Sequence, residues 1–230
     1  PPDLYPDRAS ETQHDVIISR AMLVDQHEVT RGEYQSLLGV DPSDACITSD
    51  STCPANNVNW YSALAFANAR SADEGLAECY TLSGCIGTPG LLDYQCTTVE
   101  FSGLECSGYR LPTESEWEYF ARAGVSTHFA NGTNMSFETT NCYEEINLES
   151  IAWYCDNSGN MTYPSGRTHP VGQLDPNSWR LYDVHGNVGE WCWDWYHPSG
   201  ERPEEIVRDP LGPDSGTQRV FRSSDYRKNP

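Results

Sequence analysis

Apolar residues recur along this chain at two spacings, and the change between them falls near Gly124. Before it, Val16-Ile17-Ile18 and Ala21-Met22-Leu23-Val24 are short apolar runs of strand length. Thr30 then caps a helix, with Glu33 in the capping-box position three residues on. A second helix starts near Trp60, where Trp60, Ala63, Leu64 and Ala67 share a face at three- and four-residue spacing. Thr113 and Glu116 form another capping box directly after Pro112, and Trp117, Phe120 and Ala121 supply its buried stripe. Beyond Gly124 helical spacing stops, and short aromatic strands alternate with turns rich in Gly, Asn and Pro. The densest of these runs from Leu181 to Tyr196, where Trp191, Trp193, Trp195 and Tyr196 follow a Gly186-Asn187 pair. That pattern predicts a tight turn leading into a strand whose bulky face is buried.

The intervening stretches read as ordered loops. Residues 1–13 are a Pro- and Asp-rich lead-in, and residues 40–57 a disulfide-prone loop. Residues 75–108 hold four cysteines, several glycines and one hairpin around Tyr80-Thr81-Leu82. Few helices, many short strands and long loops place the chain in the α+β class, loop-rich with little regular secondary structure. Its 230 residues suffice for one domain spanning 1–230, and no internal repeat or low-complexity tract interrupts it.

Charge narrows the partners. Lys and Arg number 14 against 34 Asp and Glu, a net charge of −20 that repels nucleic acid and anionic membrane. No apolar run reaches the length of a membrane span, and the start at Pro1-Pro2 suggests that the numbered chain begins inside a longer precursor. Nine cysteines point to an oxidising compartment: secreted, periplasmic or cell surface. Proximity in sequence pairs Cys46 with Cys53 and Cys142 with Cys155, and suggests bridges among Cys79, Cys85, Cys96 and Cys106. The count is odd, and Cys192 is the candidate for the unpaired one, a small buried hydrophobe. Glu114, Glu116 and Glu118 read as first-turn acids favoured by the helix dipole. Asp25, His27 and Glu28 read as local hydrogen-bonders before a helix cap. The histidines lack i,i+4 spacing, and no GxSxG, P-loop or dinucleotide fingerprint is present.

Five blocks in order carry a family resemblance. They are Gln26 to Tyr34 (QHEVTRGEY), Pro54 to Ala63 (PANNVNWYSA), Arg110 to Gly124 (RLPTESEWEYFARAG), Thr168 to Gly172 (THPVG) and Leu181 to Trp195 (LYDVHGNVGEWCWDW). Together they resemble the formylglycine-generating enzyme, or sulfatase-modifying factor, family across roughly residues 11–222. The resemblance implies that family's variant of the C-type-lectin-like fold, held by calcium. Asp183, Glu190 and nearby carbonyls already suit a hard cation. The resemblance assigns Asp183, Gly186, Val188 and Glu190 as the ligands of one calcium, and Asn157 to a second. Gly189 departs from the pattern, standing where the family usually has Trp.

Catalysis in the family uses two cysteines that bind copper(I), beyond an RVxRGGS strand. Here Arg219-Val220-Phe221-Arg222 runs directly into Ser223-Ser224, and no cysteine follows Cys192. We expect a segment to be missing between Arg222 and Ser223, since the stretches on both sides match the family. Alternatively, the chain is a relative without catalysis. Copper enters only if that segment supplies a cysteine pair. Three functions are therefore expected to compete. The first is a binding module for a protein, peptide or glycan. The second is an oxidase converting a substrate cysteine to formylglycine, or a related thiol oxidase. The third is a structural subunit of a surface assembly.

Overall fold

The computed structural model describes residues 15–44, 46–135, 145–159, 166–196 and 206–226. Among them lie three helices and four two-stranded sheets joined by long loops, an α+β arrangement. Helix α1 (Arg31–Leu38) and helix α3 (Glu114–Arg122) begin at the predicted capping boxes of Thr30 with Glu33 and Thr113 with Glu116. Helix α2 (Trp60–Asp73) is capped by Asn59, whose side chain accepts from the Ser62 amide. The same Asn59 amide group donates to the carbonyls of Leu92 and Tyr94. One side chain thus starts a helix and fastens the neighbouring loop to it.

The cysteine-rich insertion is a longer hairpin than the sequence suggested. Strands β2 (Tyr80–Ile86) and β3 (Gln95–Phe101) pair antiparallel, with Cys85 opposite Cys96. Disulfides join Cys85 to Cys96, Cys79 to Cys106 and Cys46 to Cys53. Cys155 is also disulfide-bonded, while Cys142, its expected partner, lies outside the described residues. Cys192 is free and fully buried, as expected.

The aromatic block forms strand β6 (Glu190–Trp195), paired antiparallel with β8 (Arg219–Arg222). The expected orientation is reversed: Cys192 and Asp194 face the deepest interior, and the three tryptophans are half-buried. The reason is what covers each face. The Cys192 side meets Trp117, Phe120 and Ala121 of α3, a crowded position suited to a small side chain. The tryptophan side is closed by the hairpin, with Trp193 4.7 Å from Phe101 and 5.6 Å from Tyr80 between ring centres. It is also closed by Arg219, whose guanidinium lies 3.8 Å from the Trp60 ring and 3.5 Å from that of Trp195. Burial lowers the Arg219 pKa to about 10.

Helix α3 is locked to β6 at its first turn, where the Asp194 carboxylate accepts from the Glu114 amide at 2.8 Å. Its buried Trp117 and Phe120 each contribute about 2–3 kcal/mol of apolar burial. Two further small sheets, β1 (Val16–Ile17) with β7 (Val207–Arg208) and β4 (Ala152–Trp153) with β5 (His185–Gly186), are both parallel. The run Ala21–Val24, predicted as a strand, is not one: among the described residues it pairs with no strand, and Ala21, Leu23 and Val24 are exposed while Met22 packs against the core.

Candidate functional site

The site grows from the Gly186-Asn187 turn. Gly186 has φ 91°, and a Cβ there would stand 2.2 Å from the Trp153 carbonyl oxygen. Only glycine fits both the left-handed backbone and the close approach to β4. Gly186→Ala is therefore expected to cost about 3 kcal/mol from overpacking and backbone strain together. Urea unfolding measures this as a lowered midpoint at unchanged slope. Asn187 follows at φ 58°, a conformation that asparagine tolerates better than most residues.

Asn187 organises its surroundings from a fully buried position. Its backbone amide donates to the Trp153 carbonyl at 2.7 Å, and its carbonyl accepts from the Tyr226 amide at 3.0 Å. Its side-chain oxygen accepts from the His169 amide, and its side-chain nitrogen donates to Glu28 at 2.7 Å. The second Glu28 oxygen accepts from the Val188 amide at 2.9 Å. Glu28 thus reaches across the molecule, and the expectation that it bonds locally is corrected. Asp25 is corrected too, since it pairs with Arg70, whereas His27 does bond locally, to the Glu28 carbonyl. The available signal for Glu28 was its place in the Glu28-Val29-Thr30 block.

Three acids surround the turn. Burial and the neighbouring charges of Asp183 and Glu190 push the Glu28 carboxyl well up. Burial also raises Asp183, and it raises Glu190 to about 7, helped by the charge of Asp183. Asp183 sits at φ 58°, and one carboxylate oxygen accepts from the Gly172 amide at 2.7 Å. The other oxygen, Oδ1, is buried without a hydrogen-bond partner. An orphaned carboxylate oxygen among repelling acids calls for a cation or a proton. Among the described residues no three His, Cys, Asp or Glu side chains converge as a metal cluster. A donor set here consequently needs backbone carbonyls beside Asp183 and Glu190, and that mixture suits calcium.

Other expected positions resolve differently. Both polar atoms of the Asn157 side chain are engaged locally, accepting from the Tyr154 amide and donating to the Ala152 carbonyl. Gly189, the departure from the family pattern, lies against Phe221: a Cβ there would be 2.0 Å from its ring. Phe221 fills the space that a tryptophan side chain would need. Of the helix α3 acids, Glu114 and Glu116 lie in the first turn as expected and Glu118 lies beyond it; Glu116 also pairs with Arg110 in a buried position, and Glu114 and Glu118 both face Arg222. Burial pushes the Cys192 thiol well up, the reverse of what a reactive cysteine needs.

Beside the turn opens a cavity of about 820 Å³. Glu28, Val188 and Glu190 line it, together with Phe66, Arg70 and Tyr109. The segment from Arg20 to Asp25 runs along it. Its volume falls in the range of small-molecule and peptide side-chain pockets.

Comparison with known proteins matches residues 5–230 to the sulfatase-modifying factor enzyme 1-like domain. The chaperone protein LppX of Paenibacillus barcinonensis is 32% identical over 80% of this chain and 66% of its own length. The formylglycine-generating enzyme of Thermomonospora curvata is 34% identical over 52% of this chain and 39% of its own length. The chain thus spans under two thirds of either curated relative. Among solved structures, Treponema denticola variable protein 1 superposes with a TM-score of 0.67 at 31% identity, covering 87% of this chain and 72% of that one. With its turn, its capping boxes and its loop-rich fold, the chain belongs to the sulfatase-modifying factor family, the domain family of the formylglycine-generating enzymes.

Proposed function

We propose that the chain is a non-catalytic binding module of this family, secreted, periplasmic or displayed at a cell surface, and held by calcium as well as disulfides. The observation that carries the reading is the condition of the cysteines. Six form three disulfides, Cys155 is bonded, and Cys192 is sealed against α3. A copper(I) centre of the oxidase kind needs accessible thiolates of lowered pKa. Cys192 has the opposite environment. The disulfides also favour an oxidising compartment, and no described helix is long and apolar enough to cross a membrane.

Asp183 and Glu190 would hold calcium through their carboxylates, and Gly186 and Val188 through backbone carbonyls. The orphaned Asp183 Oδ1 supports this set. Bound there, the ion would supply charge neutralisation and fix the turn. A second ion at Asn157 would bind its side-chain oxygen, which already accepts from the Tyr154 amide, while the side-chain nitrogen keeps its bond to the Ala152 carbonyl. A relative named as a chaperone favours a polypeptide ligand over a glycan.

The test has two readouts. Co-expression with a cysteine-containing sulfatase peptide should leave that cysteine unconverted. An Asp-N digest should yield the peptide running from Asp214 to Ser224, at its calculated mass or lengthened by the missing segment, without a pair of cysteines. Formylglycine in the substrate, together with a longer peptide carrying two cysteines, would establish the copper-dependent oxidase instead.

A further inference from the structure

The segment between Ser19 and Gln26 is fastened at both ends and open in the middle. At one end the Ser19 amide donates to Asp209, and Arg20 pairs with Glu105 and Asp209. At the other, Asp25 pairs with Arg70, and the Gln26 carbonyl accepts from the Tyr182 amide at 2.8 Å. Between these anchors, the backbone groups of Ala21, Met22, Leu23 and Val24 make no hydrogen bond among the described residues. Met22 turns inward against the core cluster of Trp117 and Phe120. Leu23 is as exposed as in an unfolded chain, at 104%, and Val24 is exposed at 37%. An apolar run with free N–H and C=O groups, immobilised at each end, is a template for strand addition.

We propose that Ala21–Val24 receives an extended segment of a different, basic polypeptide, which pairs with its backbone and places apolar side chains in the adjoining cavity. This deepens the binding-module reading by naming the partner's chemistry. Charge selects that partner. The arginines along the cavity are already matched: Arg20 with Glu105 and Asp209, Arg70 with Asp25, Arg110 with Glu116. The chain as a whole carries −20, so a second copy is repelled and a lysine- or arginine-bearing strand is attracted. The unpaired backbone supplies affinity without sequence demands, and the cavity supplies the preference for alternate apolar residues.

The probe is a fluorescent decapeptide alternating valine with lysine, compared with its valine–glutamate counterpart by anisotropy on the intact chain. We expect saturable binding of the lysine peptide only. A Leu23→Pro/Val24→Pro variant, which removes two backbone donors, should weaken it at least tenfold. Leu23→Lys is the companion variant, since a fully exposed side chain can be changed without unfolding the domain and the added positive charge repels the lysine peptide. It should also weaken binding, with an unchanged near-UV spectrum. Absence of binding by the lysine peptide, equal binding by the glutamate peptide, or indifference to both variants overturns the proposal. Concentration-dependent dimers in sedimentation, lost in the proline variant, would overturn it in favour of a second copy. None of these readouts depends on formylglycine formation, so this proposal and the family-level reading fail separately.

Discussion

Replacing Glu116 by alanine lowers the unfolding free energy by about 3–5 kcal/mol, the largest loss expected from any single side chain described here. The carboxylate is 5% exposed and its partner Arg110 14%. Two parallel bonds of 2.7 and 2.8 Å join them, and the same carboxylate accepts from the Thr113 amide at 2.9 Å. Truncation therefore strands a largely buried guanidinium and removes the reciprocal half of the capping box, leaving the Thr113 hydroxyl as the remaining cap. That half of the cap accounts for about 1 kcal/mol, and the stranded charge for the rest. Urea unfolding of the variant measures the sum. Glu118→Ala is the control, because that side chain sits in exposed ion pairs with Arg122 and Arg222 and should cost under about 1 kcal/mol. Equal losses at the two positions would show that the Arg110 pair is not what holds the helix.

If calcium occupies the turn as proposed, its withdrawal has the next largest effect, and the size of that effect depends on pH. At free calcium a thousandfold above the dissociation constant, binding stabilises the fold by about 4 kcal/mol. For a chain of this size, chelation should then lower the melting temperature by about 10 °C. Glu28, Asp183 and Glu190 all have folded pKa values raised above their unfolded ones, with Glu190 at about 7. Raised values mean that the folded state binds more protons. In the chelated protein the stability from those protons is complete below the unfolded carboxylate range and is lost as pH rises through about 7. Asp194, also raised to about 7, acts in the same direction. With calcium the trend at the turn reverses, since the ion requires the ionised carboxylates. Melting curves between pH 5 and pH 8, with calcium and with chelator, should therefore diverge as pH rises. Parallel curves would remove calcium from the turn.

The two capping boxes were legible because they are local: a Thr and a Glu three residues apart decide their own geometry. The Cys46–Cys53 disulfide was legible for the same reason, whereas order alone left the pairing among Cys79, Cys85, Cys96 and Cys106 open. Two further things were not legible. Glu28 carries no periodic mark, and its partners, Asn187 and Val188, lie 159 and 160 residues away. Alternation in β6 identified a strand but not which face goes inward, because that depends on what covers each side. The hairpin and Arg219 cover the tryptophans from elsewhere in the sequence. Ala21–Val24 has the composition of a strand, yet composition cannot provide a neighbour. The family resemblance supplied the turn's ligand set; the orphaned Asp183 oxygen is something only the structure adds.

The three described disulfides span 7, 11 and 27 residues, all between Cys46 and Cys106. Noncovalent ties across the molecule are far longer in sequence: Trp60 Nε1 to the Cys192 carbonyl crosses 132 residues, and Trp191 Nε1 to the Val58 carbonyl 133. During synthesis from the N-terminus, each of those bridges can close while the aromatic strand has yet to be made. Most of the described covalent work then falls on a segment that finishes early, and Cys155 is the disulfide-bonded cysteine described beyond it. The same layout limits oxidation in the wrong order, because Cys192 is synthesised after all three pairs and is buried in the folded chain.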